Sequence, residues 1–130
     1  MKITVITGSP HKNGTSALLA NQFIEGASRA GHDVFRFNSA FGDVHPCIGC
    51  ERCVINNSVC VYQDSMNELN RNLLAADLVV FVTPLYFFGM SAQMKIVLDR
   101  LYANDNRLHG NKKSILMATA ADSNRKRLIM

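Results

Sequence analysis

The chain predicts an α/β domain built on a doubly wound, mainly parallel sheet. β-Rich runs and helix-striped runs alternate along its 130 residues. One run, Asp77 to Thr83 (DLVVFVT), is almost continuously apolar, as a strand covered on both faces must be. Long polar or Gly-rich segments follow the strands, where such sheets place their ligands.

The elements follow in order. Lys2 to Thr7 (KITVIT) is β-rich, and Thr15 to Ala30 reads as a helix with Leu19, Phe23 and Ala27 on one face and Gly31 as its stop. Asp33 to Asn38 (DVFRFN) alternates apolar and polar, as an outer strand does. Residues 39 to 63 form a long irregular segment that holds all four cysteines, and loops of that length are usually functional. Ser65 and Glu68 have the spacing of a capping box, with Met66, Leu69 and Leu73 striping the helix behind it. After the apolar strand, Met90, Met94, Val97, Leu98 and Leu101 stripe a third helix, and Ser114 to Thr119 (SILMAT) is a fourth strand.

The length suits one domain with a single core, spanning 1–130. Hydrophobic residues make up 48% and charged residues 18%, and no apolar run reaches the length of a membrane span, so a cytoplasmic chain with no membrane partner is expected. The net charge of +4 is mild and lies largely in Arg125-Lys126-Arg127, which reads as a solvated tail rather than a nucleic-acid patch. Four cysteines in a reducing compartment point to metal or redox chemistry rather than to a disulfide framework.

The segment GSPHKNGTS, residues 8 to 16, joins a strand to a helix start through a polar turn. The first N–H groups of the helix and its dipole make that turn an anion site. Ser9, Thr15 and Ser16 add hydroxyls, Lys12 a cation, and Gly8 and Gly14 a close backbone approach. It is not the triphosphate loop, since five residues separate the glycines and Thr15 follows Gly14. Nor is it the dinucleotide fingerprint, because Pro10 stands at the second glycine position and the second strand ends in Phe37-Asn38 without a ribose-binding acid. A plain helix cap that binds nothing is the bland alternative.

Residues 8 to 16, 39 to 63 and 84 to 90 all leave carboxyl ends of strands and converge on one rim. Pro84 to Met90 (PLYFFGM) brings three consecutive aromatics beside Gly89, which suits a flat heterocycle; rings that merely cap the core are the alternative.

GSPHKNGTS, TPLYFFGMSAQMK and the following LDR together resemble the flavodoxin-like NAD(P)H-dependent FMN reductase family, from residue 1 to about residue 119. The resemblance implies a flavodoxin-like three-layer sandwich. It places the FMN phosphate on Ser9, His11, Asn13, Thr15 and Ser16, His11 standing where the family often has a stronger base. It places the isoalloxazine on Pro84, Leu85, Tyr86, Phe87, Phe88 and Gly89, with Thr119 and Ala120 opening a third flavin loop. Lys95, Asp99 and Arg100 match family positions and read as helix and interface structure. Chemistry then follows from the flavin, with NAD(P)H as donor and a small-molecule electron acceptor, and no catalytic side chain is required.

Cys47-x-x-Cys50-x-x-Cys53, with Cys60 after six more residues, resembles the cluster motif of the iron-sulfur flavoproteins in the same superfamily. It implies a 4Fe-4S cluster on these four thiolates. A four-thiolate zinc site and metal-free packed or redox-active thiols are the alternatives. The family fold has five strand-helix units, and a fifth is not legible after Ser114 to Thr119. That strand is therefore expected at an exposed apolar edge covered in a homo-oligomer, with Ala121 to Arg125 in doubt as a flavin loop. A flavodoxin-type electron carrier and a catalytically idle flavin-binding relative are the competing functions; flavodoxins are typically acidic, against the +4 here.

Overall fold

The computed structural model describes residues 1–110 and 112–120. Strand β1 (Lys2–Thr7) enters helix α1 (Thr15–Arg29), which stops at Gly31 in the left-handed conformation with φ +85°, and strand β2 (Asp33–Asn38) follows. The long segment after β2 contains one short helix, α2 (Arg52–Ile55), and ends at helix α3 (Met66–Ala75). Strand β3 (Leu78–Tyr86) turns back into the two-residue strand β4 (Gly89–Met90). Helix α4 (Ala92–Arg100), a 3-10 turn at Leu101–Asn104, helix α5 (Asp105–Leu108) and strand β5 (Lys113–Thr119) complete the described chain.

The main sheet is parallel in the order β2-β1-β3-β5, with Ile3 opposite Val34 and Leu78, and Val80 opposite Ile115. Side chains alternate across it. Ile3, Val5, Leu78, Val80 and Val82 pack on one face against Ala20, Leu19 and Phe23 of α1. Ile6 and Val79 pack on the other against Met66, Leu69, Leu73, Met94 and Val97 of α3 and α4. Both faces of β1 and β3 are thereby buried, which explains the unbroken apolar run of the central strand. This is the flavodoxin-like α/β arrangement that the sequence predicts.

Three local expectations are corrected. Ser65 does not cap α3: its backbone is already helical, and its Oγ accepts from the Asp43 N–H at 3.0 Å. Asp64 Oδ1 takes the Met66 N–H instead, at 2.9 Å, because the helix turn begins one residue early. Met90 is not on the α4 stripe; it lies in β4, 41% exposed, and α4 starts at Ala92 behind an N-cap at Ser91. Pro84, Leu85 and Tyr86 are the last three residues of β3 rather than a loop, because β4 pairs back on it with Leu85 opposite Met90. Among the described residues β5 pairs with β3 alone, and Leu116 is 70% exposed and Ile115 is exposed as well. The tail Arg125 to Arg127 and the Ala121 to Arg125 segment lie outside the described residues.

Candidate functional site

The rim at the carboxyl ends of β1, β3 and β5 is tied together by buried polar groups. The Gly8 N–H donates to Val82 O at 2.8 Å, carrying the β1–β3 pairing into the first loop. A Cβ on Gly8 would stand 2.7 Å from Ser91 Oγ and 2.9 Å from Met94 Cβ, so glycine alone fits there. Ser91, fully buried, donates from Oγ to Gly8 O at 2.6 Å, accepts from the Met94 N–H, and donates its own N–H to Thr83 Oγ1. One serine thus fastens the first loop, the end of β3 and the start of α4. Sequence reasoning missed it; the signal was a serine directly before an amphipathic helix, hidden when the stripe was begun at Met90.

Around this fastening lies a cleft of about 460 Å³. Ser9, His11, Gly14, Thr15 and Ser16 form one wall, Pro84, Leu85 and Tyr86 the second, and Thr119 with Ala120 the third. Ser16 and Thr119 close the floor through an Oγ–Oγ1 hydrogen bond of 2.6 Å. Ser9 Oγ accepts from the His11 N–H at 3.1 Å and shapes the turn. Gly14 caps α1 without any side-chain hydrogen bond, so the first-turn N–H groups face the cleft with no internal anion to satisfy them.

Eight of the twelve residues assigned to the flavin therefore line one cavity, while Asn13, Phe87, Phe88 and Gly89 do not. Phe87 and Phe88 are the two central residues of the β3–β4 hairpin, 95% and 67% exposed, their rings 5.3 Å apart and edge to face. Their φ angles are +43° and +69°. Two-residue hairpins favour that left-handed turn, but normally with Asn and Gly, and a bulky aromatic is strained in it. The sequence therefore carried no turn signal, and the apolar rings are exposed where nothing in the fold requires them. An uncapped helix start, a cleft within the usual size of a cofactor site and an unpartnered aromatic rim fit a phosphate ester of a flat ring system.

None of the four thiols lines that cleft; Cys53 instead shares a cavity with Tyr102, Ala103, Asp105 and Asn106, beyond the end of α4. Cys47 and Cys50 are exposed, Cys53 and Cys60 half-buried, and all are free. Among the described residues no three His, Cys, Asp or Glu side chains gather as a metal site, so the expected four-thiolate set is not brought together. The neck of the loop, by contrast, is fixed. Arg100 and Asp64, with side chains 2% and 6% exposed, pair at 2.7 Å. Arg100 Nη1 also donates to His45 O at 2.7 Å and Nη2 to Tyr62 O at 3.3 Å, while the His45 and Tyr62 rings stack with centroids 3.6 Å apart. Burial alone would raise the Asp64 carboxyl. The Arg100 hydrogen bond, the N–H groups of His45 and Met66 and the guanidinium charge outweigh it and hold the carboxyl below its usual 3.8. Arg100 is thus structural, as expected, but its target was not foreseen. Lys95 and Asp99 form an exposed i,i+4 pair on α4.

A parallel sheet in the order 2-1-3 with a cleft across the carboxyl ends of its central strands defines the chain as a flavodoxin-like α/β protein. It belongs to the NADPH-dependent FMN reductase family, whose model matches residues 1–128. An iron-sulfur flavoprotein of Methanocaldococcus jannaschii is 32% identical over 100 residues, covering 77% of this chain and 51% of that protein. One from Archaeoglobus fulgidus is 30% identical over 107 residues, covering 82% and 48%. The NAD(P)H:quinone oxidoreductase of Methanothermobacter marburgensis superposes with a TM-score of 0.73 at 18% identity, covering 97% of this chain and 66% of that one. The chain spans about half the length of these two iron-sulfur relatives.

Proposed function

We propose that the chain is an FMN-dependent oxidoreductase that uses NAD(P)H to reduce flavins, quinones or similar small acceptors. The observation that carries this reading is the single cleft in which the two flavin motifs meet. The α1 N-terminus with Ser9, His11, Asn13, Thr15 and Ser16 holds the FMN phosphate. Pro84, Leu85 and Tyr86 line the ring seat, Thr119 anchors its floor through Ser16, and Phe87, Phe88 and Gly89 close over it. Bound FMN supplies hydride and electron transfer chemistry. The chain orients the ring with backbone groups of the rim, and Phe87 and Phe88 shed water by covering it.

The four cysteines Cys47, Cys50, Cys53 and Cys60 are proposed to close on a 4Fe-4S cluster, which would supply one-electron transfer beside the flavin. The donor chemistry, the spacing, the two relatives called iron-sulfur flavoproteins and the fixed neck of the loop support this. The β5 edge, which no other strand of the described residues covers, is proposed as an interface between copies of this chain.

Titration of the protein into FMN, read as quenching of flavin fluorescence, tests the cleft; saturable one-to-one binding is expected, and none would refute the assignment. NADPH oxidation with a quinone separates the reductase from an electron carrier, which would show almost none. Anaerobic purification with a visible spectrum and an iron assay tests the cluster: four irons per chain are expected for a 4Fe-4S cube, and iron-free protein with four titratable thiols would remove it.

A further inference from the structure

A second cavity of about 280 Å³ borders the first loop at the carboxyl ends of β1 and β2. His11, Lys12, Asn21, Arg36, Asn38 and Phe41 shape it, and no carboxylate of the described residues lines it. It has only Ser9 and His11 in common with the flavin cleft. Ser9 Oγ accepts from the His11 N–H at 3.1 Å, so the wall that the two cavities share is a fixed turn. Lys12, Arg36 and Phe41 have no part in the flavin assignment.

Neutral partners hold Arg36 in place. Its Nε donates to Asn38 Oδ1 at 2.9 Å and its Nη1 to Asn21 Oδ1, while Thr7 Oγ1 donates to the same Asn38 oxygen at 2.7 Å. These bonds use two of the five guanidinium N–H groups and leave its charge uncompensated. Each amide gives its oxygen to Arg36 and keeps an NH2 group as a donor. Lys12 rests its Nζ over the Phe41 ring, 4.9 Å from the centroid. A cation–π contact at an exposed site is weak, and a dianion draws the ammonium away from it. Among the described residues neither cation pairs with a carboxylate. The cavity therefore offers two cations and two amide donors with no internal anion to meet them.

We infer that this cavity is a second anion site, which takes a phosphate dianion, and that its occupancy weakens FMN binding across the shared turn. The coupling rests on the flavin reading above; the anion site itself does not. At about 280 Å³ the cavity falls just below the size of ordinary cofactor pockets, which suits orthophosphate or a small phosphomonoester rather than a nucleotide. Both sites use the same short turn, so each anion lies in the field of the other. Two dianions roughly 10 Å apart, about one Debye length, weaken each other about threefold, and by linkage each does so by the same factor.

The test is calorimetric titration of the FMN-saturated protein, at fixed ionic strength, with orthophosphate and separately with glycerol 3-phosphate. One site per chain is expected, and the tighter probe names the source, free phosphate or a phosphomonoester. Lys12→Gln and Arg36→Gln should each weaken that site about tenfold, the loss of one charge-assisted pair. Lys12 is exposed, so its variant reads the site even where Arg36→Gln weakens the fold. In the parent protein the FMN Kd should rise with phosphate and level off about threefold higher. No binding to the FMN-saturated protein, or binding that survives both substitutions, overturns the anion site. An FMN Kd that ignores phosphate overturns the coupling. So does one that climbs in proportion to phosphate without a plateau, because the phosphate is then competing for the FMN phosphate seat. A flat visible spectrum after FMN loading refutes the flavin assignment instead; weaker phosphate binding in Lys12→Gln still reads the cavity in that protein, since Lys12 does not line the flavin cleft.

Discussion

Replacing Phe87-Phe88 by Asn-Gly should stabilise the ligand-free protein and weaken FMN binding at the same time. Both rings sit at positive φ, and a side chain with a Cβ costs about 1–2 kcal/mol in that region. Asn tolerates it and Gly is unstrained there, although Gly gives back about 0.4–1 kcal/mol through the unfolded chain. Phe87 is 95% exposed, so the substitution removes almost no internal packing at that position. The net gain is about 1–2 kcal/mol, and at about 4 °C per kcal/mol for a domain of this size the melting midpoint should rise by about 4–8 °C. Covering about 80 Å² of aromatic surface on the flavin is worth about 2 kcal/mol. The FMN Kd should therefore rise about 30-fold. Differential scanning calorimetry without FMN and fluorescence titration with it measure the two effects. A lower melting midpoint would show that the rings hold the hairpin rather than strain it. Unchanged FMN affinity would remove Phe87 and Phe88 from the site.

Arg100→Leu strands the Asp64 carboxylate and should cost about 3–5 kcal/mol; Ellman's reagent should then titrate Cys53 and Cys60 faster, and unchanged thiol kinetics would show that the clamp does not govern the loop. Because the folded Asp64 pKa lies below 3.8, its contribution is fully present above that value and is lost as pH falls through the folded pKa. Asp64→Asn should flatten the acid limb of the stability curve below about pH 4 in urea melts; an acid limb as steep as the parent's would assign that dependence to other groups. Gly8→Ala drives a methyl into Ser91 and Met94 and should cost about 1–3 kcal/mol, read in the same melts, whereas a neutral outcome would mean that α4 can shift. Leu116→Lys should shift sedimentation from an oligomer toward a monomer; a parent protein that sediments as a folded monomer at micromolar concentration rules out the β5 interface.

β1 and β2 were legible to the residue, because an alternating or fully apolar run reports how many of its faces are covered. The first loop was legible for the same local reason: a glycine, hydroxyls and a helix start lie within nine residues. The β3–β4 hairpin was not, since its turn residues are the aromatics least suited to it. The cap of α3 was misplaced by one residue because Asp64 and Ser65 are both competent caps, and Asp64 was chosen by its burial against Arg100.

By itself the sequence determined the layers, the parallel sheet, the family resemblance and the two motifs that carry it, all properties of short runs whose side-chain period or turn chemistry is local. Tertiary structure decided which of those runs touch. Ser16 meets Thr119 across 103 positions, Ser91 meets Gly8 across 83, and Arg100 meets Asp64 across 36. Such pairs depend on strand order and register, which put distant residues within hydrogen-bonding distance where water is excluded. A polar pair is decisive there because a buried donor or acceptor left without its partner is costly.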